Sequence, residues 1–243
     1  MPTYSYIGKG SIYVGTAGSL IPVGNVSALS LAIEQEKKEM VDYENAGGGV
    51  VESVSRITRV GFNMTALNIS PENLALALRG AQTTRVQATI TDEPHNDVIC
   101  GSLIPLARIP DASALMTVKK AAATLVENTD YTRTRAGIIP LDSATVSDGD
   151  DLTISYTAVA DNLLEALVNA GLEYRLFFEG LNEAKSGKPF LVDLFKVKFT
   201  PTSGLDLIGD EFGELALEGD VIKDDTKSGA GISQYFNAKI AQV

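Results

Sequence analysis

Two stretches of strict two-residue alternation, separated by a long charged excursion, constrain this chain more than any other feature. Ser27 to Glu34 places Leu29, Leu31 and Ile33 on one side and Ser30, Ala32 and Glu34 on the other. Arg56 to Asn68 places Val60, Phe62, Met64 and Ala66 opposite Arg59, Gly61, Asn63 and Thr65. A period of two marks a strand with one buried and one solvated face. It also fixes register, because a slip of one residue would exchange the faces. Between the two runs, Gln35–Ser55 carries Glu36, Lys37, Lys38, Glu39, Asp42, Glu44 and Glu52 around the tip Gly47-Gly48-Gly49. Hairpin loops normally take about 2–5 residues. A loop far beyond that length, charged and tipped with glycine, is expected to be a functional arm.

Further strands are predicted at Val86–Ile90, Val98–Ile104, Glu173–Glu179, Phe190–Thr200, Glu214–Val221 and Tyr235–Ile240, with a turn at Asp92-Glu93-Pro94. In Phe190–Thr200 the alternation sets Leu191, Phe195, Val197 and Phe199 against Val192, Leu194, Lys196 and Lys198. One helix is well marked. Ser70 is a good N-cap, Pro71 fits the first helical position and Glu72 complements the helix dipole. Leu74, Ala75, Ala77 and Leu78 give it an apolar stripe, and Gly80 is expected to stop it. From Leu106 to Thr157 the strands are shorter, at Val118–Leu125, Gly137–Leu141 and Leu152–Tyr156, with turns at Asn128-Thr129-Asp130 and Asp148-Gly149-Asp150-Asp151. Asp161–Gly171 fits a short helix capped by Asp161 almost as well as a strand. The chain is thus expected to be mainly β: a sandwich or partly open barrel with one flanking helix. Residues 1–105 and 159–243 would form the main domain, and 106–158 a small β insertion.

Little in the sequence suggests chemistry. A net charge of −11 and a pI near 4.6 have the wrong sign for gripping nucleic acid. Two readings of that acidity stand open: ordinary solubility, or carboxylates along a path where DNA must slide without sticking. A catalytic triad would have to use the single histidine, His95, in the predicted turn, or the single cysteine, Cys100, on an apolar strand. One of each also falls short of the common zinc sets, and Asp148, Asp150 and Asp151 lack the remaining ligands of a calcium loop. Gly180 to Lys188 has the wrong spacing for a phosphate-binding loop, and Pro189 stands where Ser or Thr should follow the lysine. No apolar run reaches the roughly 20 residues of a membrane helix, and Met1–Tyr6 shows no leader pattern. No cofactor, metal or catalytic residue is expected.

A series of segments, in order, resembles the major tail proteins of long-tailed, non-contractile bacteriophages. In the first half these are Tyr6-Ile7-Gly8-Lys9-Gly10, Pro22–Leu29, Ser53–Ile57 and Leu67–Gly80. In the second they are Glu179–Asn182, Gly187-Lys188-Pro189, Lys196–Pro201 and Phe212–Gly219, while residues 118–157 resemble a module of several phage tail proteins. The resemblance implies a non-enzymatic virion protein, assembled in the host cytoplasm, that forms six-membered rings stacked into a tail tube. Gln35–Ser55 becomes the inter-ring arm, with Glu36, Lys37, Lys38, Glu39, Asp42, Glu44, Gly47, Gly48, Gly49 and Glu52 as its candidate contacts. Glu34, Arg59, Asn63, Thr65, Lys196 and Lys198 become candidate lumen-facing residues. Implied partners are other copies of the chain and the tail tip and terminator proteins; the tape measure protein and then DNA pass through the lumen. A contractile-tail or secretion-system tube subunit, and a monomeric β-sandwich binding module, are the alternatives.

Overall fold

The computed structural model describes residues 5–16 and 18–241; most of the N-terminal stretch read for a leader lies outside them. The chain divides into two units, one running to Gln82 and resuming at Leu164, the other spanning Thr83–Leu163. Both are built of antiparallel strands.

The first unit contains β1 (Gly8–Gly15), β2 (Ile21–Gly24), β3 (Val26–Val41), β4 (Val50–Ala66) and helix α1 (Pro71–Ala77). β5 (Ala81–Arg85) leads out of it. The second unit holds β6 (Ala88–Val98), β7 (Ile104–Pro105), β8 (Thr117–Lys120), β9 (Ala123–Thr124), β10 (Tyr131–Arg133), β11 (Gly137–Pro140) and β12 (Asp150–Ala158). β13 (Asp161–Glu165) pairs with β5 in a two-stranded ribbon. The chain then completes the first unit with β14 (Tyr174–Asn182), β15 (Lys188–Thr200), β16 (Leu215–Val221) and β17 (Phe236–Ile240).

One sheet organises the first unit, in the order β2-β1-β14-β15-β16-β4-β3, with β17 pairing the first half of β15. It does not close into a barrel. Its core face gathers Ile12, Val14, Val60, Phe62, Met64, Leu176, Leu194, Val197, Phe199, Leu215 and Leu217, all buried. On β4 this is the set that alternation picks out. On β15 the phase differs from the sequence reading: Leu194 and Val197, an odd number apart, both face the core. The reason is a β-bulge, where the register against β14 slips between Tyr174↔Val197 and Leu176↔Leu194. A bulge inserts one residue and so reverses the alternation beyond it.

Helix α1 packs on the core through Leu74, Leu76 and Ala77. Ser70 caps it as its sequence predicts, accepting a hydrogen bond from the Asn73 amide. The stop is made differently. Arg79, not Gly80, takes the left-handed conformation at φ 47°. The Arg79 and Gly80 amides bond back to Leu76 and Ala75 carbonyls, the Schellman arrangement. Gly80 is needed for space, since a Cβ there would lie 2.8 Å from the Glu165 carbonyl oxygen and 2.9 Å from Leu164.

The second unit is two small sheets, β6-β12-β8-β9 and β10-β11-β7, sharing a core of Val98, Ile104, Val118, Tyr131, Ile138, Leu152 and Ile154. It is wider than the 106–158 expected, because β6 pairs along β12 from Ala88↔Ala158 to Val98↔Asp150. Asp92-Glu93-Pro94 is therefore strand and not a turn, with register shifts absorbing the left-handed Asp92 and Asp97. His95 accordingly lies on a strand, and Cys100 in the turn that follows it. At Asp161 the strand alternative holds.

Candidate functional site

The excursion between the two long runs is no loop. β3 and β4 stay paired from Val26↔Ala66 to Val41↔Val50, so only residues 42–49 turn. The tip is built by Asp42, whose carboxylate accepts from the Glu44 and Asn45 amides and from the Asn45 side chain. Those donors, Asn45 first, hold its carboxyl below the usual range. Gly47, Gly48 and Gly49 all have positive φ there, which L side chains resist. β16 accompanies β4 only between Gly61 and Ala66. Beyond it the hairpin runs on as a bare two-stranded ribbon, exposed on both faces.

This ribbon joins the arm candidates into one element. Glu36 pairs across to Arg56, Lys37 to Ser55, Lys38 to Val54, Glu39 to Ser53, and Glu52 to Met40. Lys37–Glu39 and Lys38–Glu36 ion pairs run along β3. Among the charges stand apolar side chains in water: Met40, Val41, Tyr43, Val50, Val51, Val54 and Ile57. Bulges between Glu34 and Gln35 and between Met40 and Val41 break the alternation, which spreads these side chains over both faces. A two-stranded ribbon is marginal alone in water, and apolar groups gathered on one are the mark of a contact surface.

The six residues expected to face a lumen come together on one face of the sheet, opposite the core. Residues directly paired across strands share a face: Glu34 with Arg59, Asn63 with Glu218, Thr65 with Ala216, and Lys198 with Asp220. Arg59 bridges two carboxylates, with Nε 2.6 Å from Asp220 and Nη1 3.3 Å from Glu34. Those partners, Asp220 foremost, raise its pKa. Lys196 and Lys198 both reach Glu173, at 3.0 and 3.4 Å, and hold its carboxyl below the usual range. Glu173, Glu218 and Asp220 were not singled out from the sequence, although Glu218 and Asp220 alternate with buried Leu217 and Val221. Around these six positions four carboxylates (Glu34, Glu173, Glu218 and Asp220) thus stand beside three cations (Arg59, Lys196 and Lys198), and the Arg175–Asp193 pair on the same face adds no net charge, leaving this patch close to neutral on a chain of net charge −11. Its surface can meet a polyanion without attracting it strongly.

Other polar clusters are structural in form. In the second unit Glu93 accepts from the Ala107 amide, the Tyr156 hydroxyl and His95 Nε2, at 2.7 to 3.1 Å. Burial, with Glu93 adding, pushes the Tyr156 hydroxyl to about 12. The Cys100 thiol is pushed up by burial and by nearby Asp148, against thiolate chemistry. No group of three or more His, Cys, Asp or Glu that could hold a metal occurs among the described residues, and none of their helices is long and apolar enough to cross a membrane.

No curated protein matches this sequence. A family model described as protein of unknown function UCP028589 matches residues 5–239, nearly the whole length, and the chain belongs to that family.

Proposed function

We propose that this protein is a tail-tube-type structural subunit: a building block whose rings, six-membered by the resemblance of its sequence, stack into a tube that conducts phage DNA. The observation carrying this reading is the projecting hairpin, 16 and 17 residues a strand, with apolar side chains exposed along a ribbon that none of the described residues of its own unit covers. A second copy is the natural cover, since the outer edge of β3 has no partner strand among the described residues. Long bare edges invite pairing unless something blunts them. The near-neutral polar face supports the same reading as a channel wall past which phosphates slide. In that setting the tail tip, terminator and tape measure proteins are further partners, and the virion tail is the location.

The test is negative-stain microscopy of the purified chain beside a variant in which residues 38–54 are replaced by Asn-Gly. Lys37 and Ser55 pair directly, so a two-residue turn joins them in register. Hollow tubes from the parent and dispersed, folded particles from the variant are the expected pair of results. Dispersed monomers from both at high concentration, with or without tail initiators, would refute the proposal and favour a binding module.

A further inference from the structure

The unclosed sheet of the first unit leaves a groove of about 840 Å3, floored by Leu29, Leu31, Phe178, Val192 and Phe236. Its banks are strand edges without neighbours among the described residues: the start of β1, which β2 joins only from Ile12, and the outer edge of β3. A smaller pocket of about 200 Å3 adjoins it through the shared residues Tyr6 and Phe190. Lys9 lines the groove and Lys185 and Lys188 the smaller pocket, and among the described residues no carboxylate side chain lines either. On a chain with 31 acidic residues against 20 basic ones, this is a locally positive slot with an apolar floor.

The segment between β15 and β16 is its chemical complement. Asp206 to Glu214 carries four acids and no base, in irregular conformation. Leu207, Ile208 and Phe212 on it are 84, 97 and 98% exposed. Three large apolar groups held in water stabilise nothing within the unit, and clustering of this kind marks an interaction surface.

We propose that the Asp206–Glu214 segment of one copy docks in the lysine-bordered groove of a second copy. Donor and acceptor are different surfaces, so the contact is head-to-tail and repeats from copy to copy. The apolar side chains fill the floor, the carboxylates meet the lysines, and the segment's backbone, once drawn out along the groove, adds hydrogen bonds to the bare strand edges. The proposal rests on the reading of this chain as self-assembling, but it names a contact separate from the hairpin.

A fluorescent peptide of residues 203–216, titrated with the full chain and followed by polarisation, tests it. Saturable binding that weakens with salt is expected, falling roughly tenfold for the variant K9E/K185E. Binding to that variant should return when Asp206, Asp210 and Glu211 of the peptide are replaced by lysine. Neither lysine is buried, and a melting curve of the variant, or of K9Q/K185Q in its place, confirms the fold. No binding, equal binding to the variant, or equal binding of a scrambled peptide overturns the docking. Binding only to a chain lacking its own 206–214 segment overturns the second copy as occupant. If the peptide fails while hairpin-dependent tubes form, the docking falls and the tube stands; if it binds while no tubes form, the reverse holds.

Discussion

Replacing Val51, Val54 and Ile57 by threonine separates the stability of the single chain from the strength of the proposed assembly. These side chains are 61, 48 and 54% exposed on the bare ribbon. Threonine is β-branched and keeps strand propensity. About half in water already, the three contribute little to folding, and the variant should keep its stability to within about 0.5 kcal/mol. In an assembly that covers the ribbon, the remaining exposure disappears. Full burial of Val or Ile is worth about 1.5–3 kcal/mol, so half corresponds to about 1 kcal/mol each and about 3 kcal/mol for the set. At 1.4 kcal/mol per decade, the concentration needed for polymerisation rises about 150-fold. Pelleting across a concentration series measures that threshold, and thermal melting of the unassembled chain measures the other half. A melting temperature lowered by several degrees with an unchanged threshold would refute the reasoning, since the ribbon would then be covered by its own chain.

Three other outcomes are expected. Gly219 lies between Phe62 and Phe199, whose rings meet edge to face with centroids 5.2 Å apart. A Cβ there would be 2.6 Å from the Phe62 ring and closer still to the Lys198 carbonyl oxygen. Gly219→Ala should therefore cost roughly 1–3 kcal/mol in denaturant unfolding, and an unaffected midpoint would show that the strands separate freely. Asp130 accepts from Thr145, the Val126 amide and Ser143, which hold its carboxyl below the usual carboxylate range. A depressed pKa stabilises above the unfolded value and loses that contribution as pH falls through the folded one. Melting temperature should then drop on acidification below about pH 4, and Asp130→Asn should melt lower at neutral pH with a shallower acid limb; parallel profiles would exclude this group. Finally, E34K/E218K turns the near-neutral face basic at two exposed positions. Tubes should still form but retain duplex DNA in a salt-sensitive way, and phage carrying them should eject their genome slowly; unchanged retention and ejection would remove the channel assignment.

Periodicity carried much of this fold. On β4 the alternation of Val60, Phe62, Met64 and Ala66 is the buried set, because a regular strand offers only two faces and water selects between them. The Ser70-Pro71-Glu72 start of the helix was equally legible, since a cap is satisfied by residues next to one another. The six polar-face residues were readable for the same reason, each lying opposite an apolar neighbour on its own strand.

What depends on a partner strand was not readable. The bulge on β15 exists only against β14, and without it the phase of Val192 and Leu194 comes out reversed. The hairpin looked like a loop because a ribbon solvated on both faces needs no hydrophobic alternation, and cross-strand hydrogen bonds leave no mark in either strand alone. Asp92-Glu93-Pro94 looked like a turn until β12 supplied its ladder. The neutrality of the polar patch came from Glu218 and Asp220, brought beside β4 by strand order, and from Glu173 beside Lys196 and Lys198, all distant in sequence from Arg59. Local chemistry determined which residues turn inward and where the helix begins. Pairing between distant segments decided which strands continue, which charges cancel and which apolar groups remain in water, because those energies belong to neighbours that the linear order does not name.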